Sequence, residues 1–441
     1  MPPQSIADGR DSTDNSQMRP IGKDEHETRC MNGRHAVTLT SLTPTRKAQA
    51  MRYEPNQFLG LLAAFVTLAS AGGPSSAHGA IILSGNEGKI DLTSGVPRVV
   101  RDAPADSISI LDFSSFPPAV QHVPNVPNSV IGPPSNIAIT PDGRLALIAN
   151  SISIEPSHQT NWLPENFVHL LDLTTKPPRV VGRVTTGLQP SGISIHADGR
   201  IALVANRADG TISVLAIDGF RATVAQTVKI CTPAESISDV AISPDGKLVL
   251  ASVQKAGCLA VLSLDGDTLS VTGQKISVCG QPYRCVITPD GELGLTAGQG
   301  LGNGLDQDAL TVIDLKSKPI RTLDYVPLGA VPESIEISPD GKLVAAVVMN
   351  GSNLVASDPN YSPHGELVLL RREGKTFRVT GRHRVGRIPE GVAFTSDGKH
   401  LVVQCHPDHE LWLFAVKRGR AKDTGHRIQV PGMPSSLRAS R

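Results

Sequence analysis

Glu333 and Glu390 occupy matched places in two similar stretches, "VPESIEIS" (331–338) and "IPEGVAFT" (388–395). Two carboxylates at one mouth can serve as general acid and general base. Arg207, Arg284 and His406 add guanidinium and imidazole groups able to hold or activate a polar ligand beside them. Glu333, Glu390, Arg284 and His406 are therefore the candidate catalytic set. Arg207, Asn150, Asn206, Asn350 and Ser191 are the candidate ligand-binding set, with Ser135, Ser236 and Ser435 at equivalent places. The competing reading is a hydrated channel lined by polar side chains.

Metal and cofactor chemistry find less support. "QCHPDHE" (404–410) holds three ligand types, Cys405, His406 and His409. Pro407 breaks any helix there, so the two histidines need not converge. Asp306 and Asp308 sit in a glycine-rich loop, but calcium needs six to eight oxygens and too few others are near. The chain has no G-x-S-x-G elbow, no P-loop and no C-x-x-C-H haem site. Neither a metal nor a cofactor is expected.

The elements that position these residues come from a repeat. Asp-Gly pairs fall at 142, 198, 245, 290, 340 and 397, in frames such as "ISPDGKLVL" (242–250). A spacing near 45–55 residues with strand-like content points to a propeller. In Ser-Pro-Asp-Gly-Lys, proline pre-sets φ, aspartate tolerates the second turn position and glycine accepts positive φ. Each frame is thus a hairpin turn joining the first and second strands of a blade. A third strand recurs seven times, from "SISILDF" (107–113) to "ELWLFAV" (410–416). Seven first strands are found only if the C-terminal "MPSSLRA" (433–439) is counted, with "AIILSGN" (80–86) as its second strand. The expected fold is all-β, a seven-bladed β-propeller of four-stranded antiparallel blades. The N- and C-terminal strands complete one blade, which closes the ring and removes two open edges.

Long insertions lie between second and third strands, at 87–106, 151–166, 298–309 and 350–365. They fall on the face opposite the Asp-Gly turns. Binding residues collect on such loops, and the candidate residues above ring the channel mouth on that face.

The 441 residues carry 42 basic and 41 acidic side chains, a net charge of +1, with no long run of one sign. Neither nucleic acid nor an anionic membrane is implied as a partner. Residues 58–71, "FLGLLAAFVTLASA", follow Arg52 and lead into small residues. The run is too short for a membrane span and reads as a secretory signal within 51–77. Residues 1–50 are expected to be a non-native or disordered extension, and 78–441 the propeller. Export makes the body periplasmic or secreted, with no membrane span after signal removal, in a compartment that permits disulfides. The body has five cysteines, Cys231, Cys258, Cys279, Cys285 and Cys405. A bridge among the first four is compatible with this, and the pairing stays open.

The strands "LALIANS" and "IALVANRADGTISVLAIDG", with the S-P-D-G-K frames, resemble the YVTN-repeat, lactonase-like (YncE-type) seven-bladed propellers over about 80–440. In that family a His/Glu/Arg set on the channel face is associated with lactone chemistry. The resemblance thus implies such a role for Glu333, Glu390, Arg284 and His406. The expected function is an exported propeller that binds a small molecule or a protein partner at its loop-rich face. The alternatives are a lactone hydrolase or lyase, and an accessory subunit of a periplasmic redox enzyme.

Overall fold

A computed structural model describes residues 80–128, 131–155, 157, 162–300 and 302–441. The expected extension and signal segment, 1–50 and 51–77, lie outside the described residues. Among the described residues are seven four-stranded antiparallel sheets, and a small two-stranded ladder of Ile90–Asp91 with Arg98–Val99. The only helical elements described are two single 3-10 turns, Pro233–Glu235 and Gln254–Ala256. The fold is a seven-bladed propeller.

The second strands show why the blades stack. Their residues are buried on both faces, as in Leu248–Val253. Val249, Ala251 and Val253 pack with Leu203 and Ala205 of the preceding blade. Leu250 turns the other way, onto Cys285 and Ile313 of the following blade. A strand whose alternate side chains feed two interfaces has to be apolar throughout.

The ring closes as the repeat count requires. Met433–Ala439 is the inner strand of a blade whose other strands are Ile81–Glu87, Ser107–Asp112 and Ala119–Pro124. Ile82 faces Ala439 and Glu87 faces Met433 across this junction.

The Asp-Gly frames are turns held by their own side chains. The Asp245 carboxylate accepts from Ser243 Oγ at 2.5 Å and from Lys247 N at 3.2 Å. Ser243 Oγ in turn accepts from Leu248 N at 2.9 Å. Thr140/Asp142, Thr288/Asp290, Ser338/Asp340 and Thr395/Asp397 repeat the arrangement. In the frame around Asp198, His196 replaces the hydroxyl residue, with Nδ1 2.8 Å from the carboxylate.

Two expectations change. The stretch 151–166 is less a loop than a lengthened hairpin, because Leu145–Ile154 and Trp162–Asp172 keep pairing out to Ile154 opposite Trp162. The five described cysteines are free thiols, so no bridge joins any of them. Burial pushes the Cys231 thiol up to about 11 and those of Cys285 and Cys405 higher still.

The turn glycines give a test of this scaffold. Gly143 and Gly246 both take positive φ, 71° and 72°. A Cβ on Gly143 meets nothing, whereas one on Gly246 falls 2.0 Å from His196 Nε2. Gly143→Ala should therefore cost about 1–2 kcal/mol, the left-handed penalty alone. Gly246→Ala should cost more, because the imidazole must also leave Asp198. Chemical denaturation of the two variants measures the difference, and equal losses would contradict it.

Candidate active site

In a regular antiparallel ladder each residue faces one partner. Near the start of six of the seven inner strands the register slips and extra residues are left against the second strand. Glu333, Ser238 and Ser435 are single extra residues of this kind. In the other three blades a pair faces one residue: Ser191–Gly192, Tyr283–Arg284 and Glu390–Gly391. Such bulges bend the strand and re-aim a side chain. Here they fall at the loop-face end of the channel, and the cavity there is lined by bulge residues of four blades, Tyr283, Glu333, Glu390 and Ser435.

That cavity, about 240 Å³, also takes Glu87, Gln299 and His406 into its wall. Its roof is the insertion after Glu87, which contributes Ile90, Leu92, Val96 and Pro97. The insertion is fastened at both ends. Lys89 Nζ donates to Asp106 at 2.6 Å, and the Glu87 carboxylate accepts from Lys89 N and Ile90 N at 2.7 and 3.2 Å.

The two glutamates share one environment but differ in support. Glu333 Oε2 accepts from Gln299 Nε2 at 2.6 Å, and the Arg207 guanidinium lies near enough to favour its charge. Burial still dominates and pushes Glu333 up to about 8. Glu390 has no such help. Its Oε1 is buried without a hydrogen-bond partner. Burial, then the Glu333 charge, then the Glu87 charge hold Glu390 well above the usual carboxylate range. Two buried carboxyls this close cannot both ionise at neutral pH. Glu333 is the one to lose its proton first, and Glu390 the one to keep it.

Tyr283 is also buried, and burial and Glu333 keep its hydroxyl protonated well past the usual phenol range. Behind it Arg207 donates from Nη2 to Gln254 at 2.8 Å, while its buried Nε and Nη1 have no partner. The Arg207 guanidinium stands 6.0 Å from the Tyr283 ring centre. His406 has its ring nitrogens 3.3 Å from the Pro434 carbonyl and 3.2 Å from the Ile90 carbonyl. Burial pulls it down to about 4, so the ring is neutral and can donate to only one of them. The ring sits between the roof and the closing blade and bonds one of them.

Comparison with known proteins agrees with this architecture. Residues 99–288 match the family described as lactonase, 7-bladed beta-propeller. The chain is a seven-bladed propeller, similar to that family over these residues. No curated protein matches it. A Pseudomonas aeruginosa periplasmic gluconolactonase is 18% identical, with TM-score 0.58, over 82% of this chain and 99% of that one. A candidate 6-phosphogluconolactonase from Bacteroides fragilis is 16% identical, with TM-score 0.61, over 84% and 100%. A functionally unknown protein from Desulfotomaculum acetoxidans is 16% identical, with TM-score 0.57, over 76% and 96%. At such identities the likeness is one of fold.

Not all the sequence-derived candidates of this propeller meet at the cavity. Glu333, Glu390, His406 and Ser435 line it, and Arg207 lies just behind Tyr283. Arg284 instead turns toward the middle of the channel, to Glu336 and Ser334. Asn206 Nδ2 donates to Thr211 and Ser213 of its own blade, each at 3.0 Å. Asn350 Oδ1 accepts from Ala330 N, and Asn150 Nδ2 donates to Ile152 O. Ser135 donates to Asp239 at 2.9 Å, and Ser191 Oγ is buried without a partner. Ser236 stands one residue before its strand at φ 57°, as Gln189 does before Pro190. Ser238 is the bulge residue of that blade.

Glu87, Tyr283 and Gln299 were not picked out from the sequence. Gln299 had a signal. Arg207, Gln254 and His406 each send a backbone N–H to the residue before the inner strand of their own blade. Gln299, facing Gln281, holds the same place in its blade. Among the described residues no three His, Cys, Asp or Glu side chains converge to hold a metal ion.

The raised glutamates carry a cost that can be measured. A carboxyl whose folded pKa is raised keeps its stabilising share below the unfolded value, near 4.3, and loses it as pH rises toward the folded value. Glu390→Gln removes that dependence. The variant's melting temperature should therefore exceed that of the parent by a margin that grows from pH 5 to pH 8. A margin independent of pH would show that Glu390 ionises freely in the folded chain.

Proposed function

We propose that this propeller hydrolyses lactones in the loop-face cavity. The observation that carries the reading is the buried Glu333–Glu390 pair, in which Glu333, raised to about 8, loses its proton first while Glu390 keeps its own. The family description and the gluconolactonase neighbour support a lactone as the substrate class.

In this mechanism Glu333, ionised, takes a proton from a water as its oxygen attacks the lactone carbonyl carbon. The carbonyl oxygen becomes an oxyanion. Tyr283, whose hydroxyl stays protonated, donates to it, which is where such stabilisation matters most. The intermediate then collapses, the bond from acyl carbon to ring oxygen breaks, and Glu390 gives its proton to that oxygen. The product is a hydroxy acid. Glu333 now holds the water's proton, and passing it to Glu390 restores the pair. Once ionised, the product carboxylate faces two acidic side chains, which favours its release. Arg207 acts from behind by favouring the charge on Glu333. His406 acts as a positioning residue against the roof.

The test is a panel of lactones, glucono-δ-lactone among them, followed by acid release. The active form requires Glu333 ionised, so kcat/KM of the full chain should rise with pH up to about 8. It should fall again once Glu390 gives up its proton. Glu333→Gln should lower kcat by about a hundredfold or more, the usual contribution of a general base. Saturable lactone binding without ring opening would sink the hydrolase reading and leave a ligand-binding propeller.

We also infer export. The apolar run 58–71 with small residues after it supports this, and no described helix is long and apolar enough to cross a membrane. The mass of the mature protein from its native host checks it, with a start after Ala71 or Ala77 expected.

A further inference from the structure

The channel has a second mouth, on the face of the Asp-Gly turns. There a cavity of about 330 Å³ opens between the ends of the inner strands. Its wall is mostly apolar, with Ile242, Ile287, Ile337 and Phe394 from four successive blades. Its inner end is charged, with Glu336 and Arg438.

That inner end is short of negative charge. Arg284 is paired with Glu336 and is nearly inaccessible. Arg438 spends Nε on the Ile137 carbonyl at 3.1 Å and Nη2 on the Ile193 carbonyl at 2.9 Å. Its Nη1 comes no nearer than 3.9 Å to Glu336, the carboxylate already paired with Arg284. Asp239, the other acid in this group, is bonded to Ser135 Oγ and Cys285 N, and burial raises it toward its neutral form. Burial and then the Arg284 charge lower Arg438 to about 10, as for a cation lacking a full counter-charge. Two guanidiniums thus share the Glu336 carboxylate at the end of an apolar cup, and Arg441 adds a third cation to its lining.

We propose that the turn-face mouth is a second ligand site, taking a small organic monocarboxylate. The carboxylate meets Arg438, and the apolar body lies against Ile242, Ile287, Ile337 and Phe394. A bare inorganic anion would leave the wall unused, and a polyhydroxylated acid would bury its hydroxyls against it without partners. The site therefore differs in chemistry from the loop-face cavity and does not rest on the hydrolase reading.

Calorimetric titration of the full chain with hexanoate tests this, with hexanol and hexylamine as controls of the same body and different head. Hexanoate should bind with one site per chain, at least about tenfold tighter than either control, as a charge-assisted contact requires. Arg438→Gln should remove that preference. Because Arg438 also holds two carbonyls, Ile337→Glu provides a second variant that leaves those bonds alone. It should weaken hexanoate at least about tenfold with lactone turnover unchanged. Absence of saturable hexanoate binding would overturn the proposal. So would equal binding of hexanol, or binding indifferent to both substitutions.

Discussion

The pairing of Ile81–Glu87 with Met433–Ala439 is the interaction on which the rest of this molecule depends. A propeller blade cannot bury both faces alone. Each sheet is covered by its two neighbours, so an open ring leaves two apolar faces in water. Here the closing contact is a strand ladder whose partners lie far apart in the chain. It also builds function. Ser435 and Glu87 on these two strands reach the loop-face cavity, and Arg438 on the same inner strand reaches the turn-face one. Closure and site formation are therefore one event. The contact is among the least local in the fold, so it is expected to form late.

Given a closed ring, the bulges decide what the channel contains. A regular inner strand would alternate its side chains between the two blade interfaces. One extra residue breaks that alternation at the mouth and presents a side chain inward. In two adjacent blades that residue is glutamate, and the outcome is an acid pair that no flat sheet would tolerate. The pair is held by surroundings that give little back. Gln299 satisfies one oxygen of Glu333, while Glu390 Oε1 stays unpartnered. Such strain is stored where chemistry is done, and the sheets around it supply the stability that permits it.

The fold was legible because its signals are local and repeated. "SPDGK" states its turn type in the residues themselves, and six Asp-Gly frames like it set the blade spacing. The closing blade was legible by counting strands. The site was legible only in part. Glu333 and Glu390 stood out because they share a frame, and their bulges put them where the frame suggested. Arg284 failed to join them because its partner Glu336 lies three residues beyond Glu333 on the next inner strand, a contact across blades that no local pattern encodes. The asparagines at the ends of second strands looked like ligands but bond within their own blades. Glu87 ends the second strand of the closing blade, which is joined to its first strand by no Asp-Gly frame, so alignment of frames could not reach it.

The Asp-Gly frames of the turn face read as hairpin turns, and that is what they are. Their carboxylates are spent on the Ser, Thr or His two residues before and the backbone N–H two residues after, and at Asp290 also on Arg372. Yet the turns and the channel mouth share that face without sharing residues. Inner strands run the length of the channel, so each has two ends, and the chemistry at one end does not determine the other. At the loop face the inner-strand ends bring acids together. At the turn face they bring Arg284 and Arg438 toward the one carboxylate of Glu336. The two mouths therefore differ in chemistry, carboxyls at one and guanidiniums at the other. One channel in a closed ring can thus present two sites with opposite preferences and no shared residue.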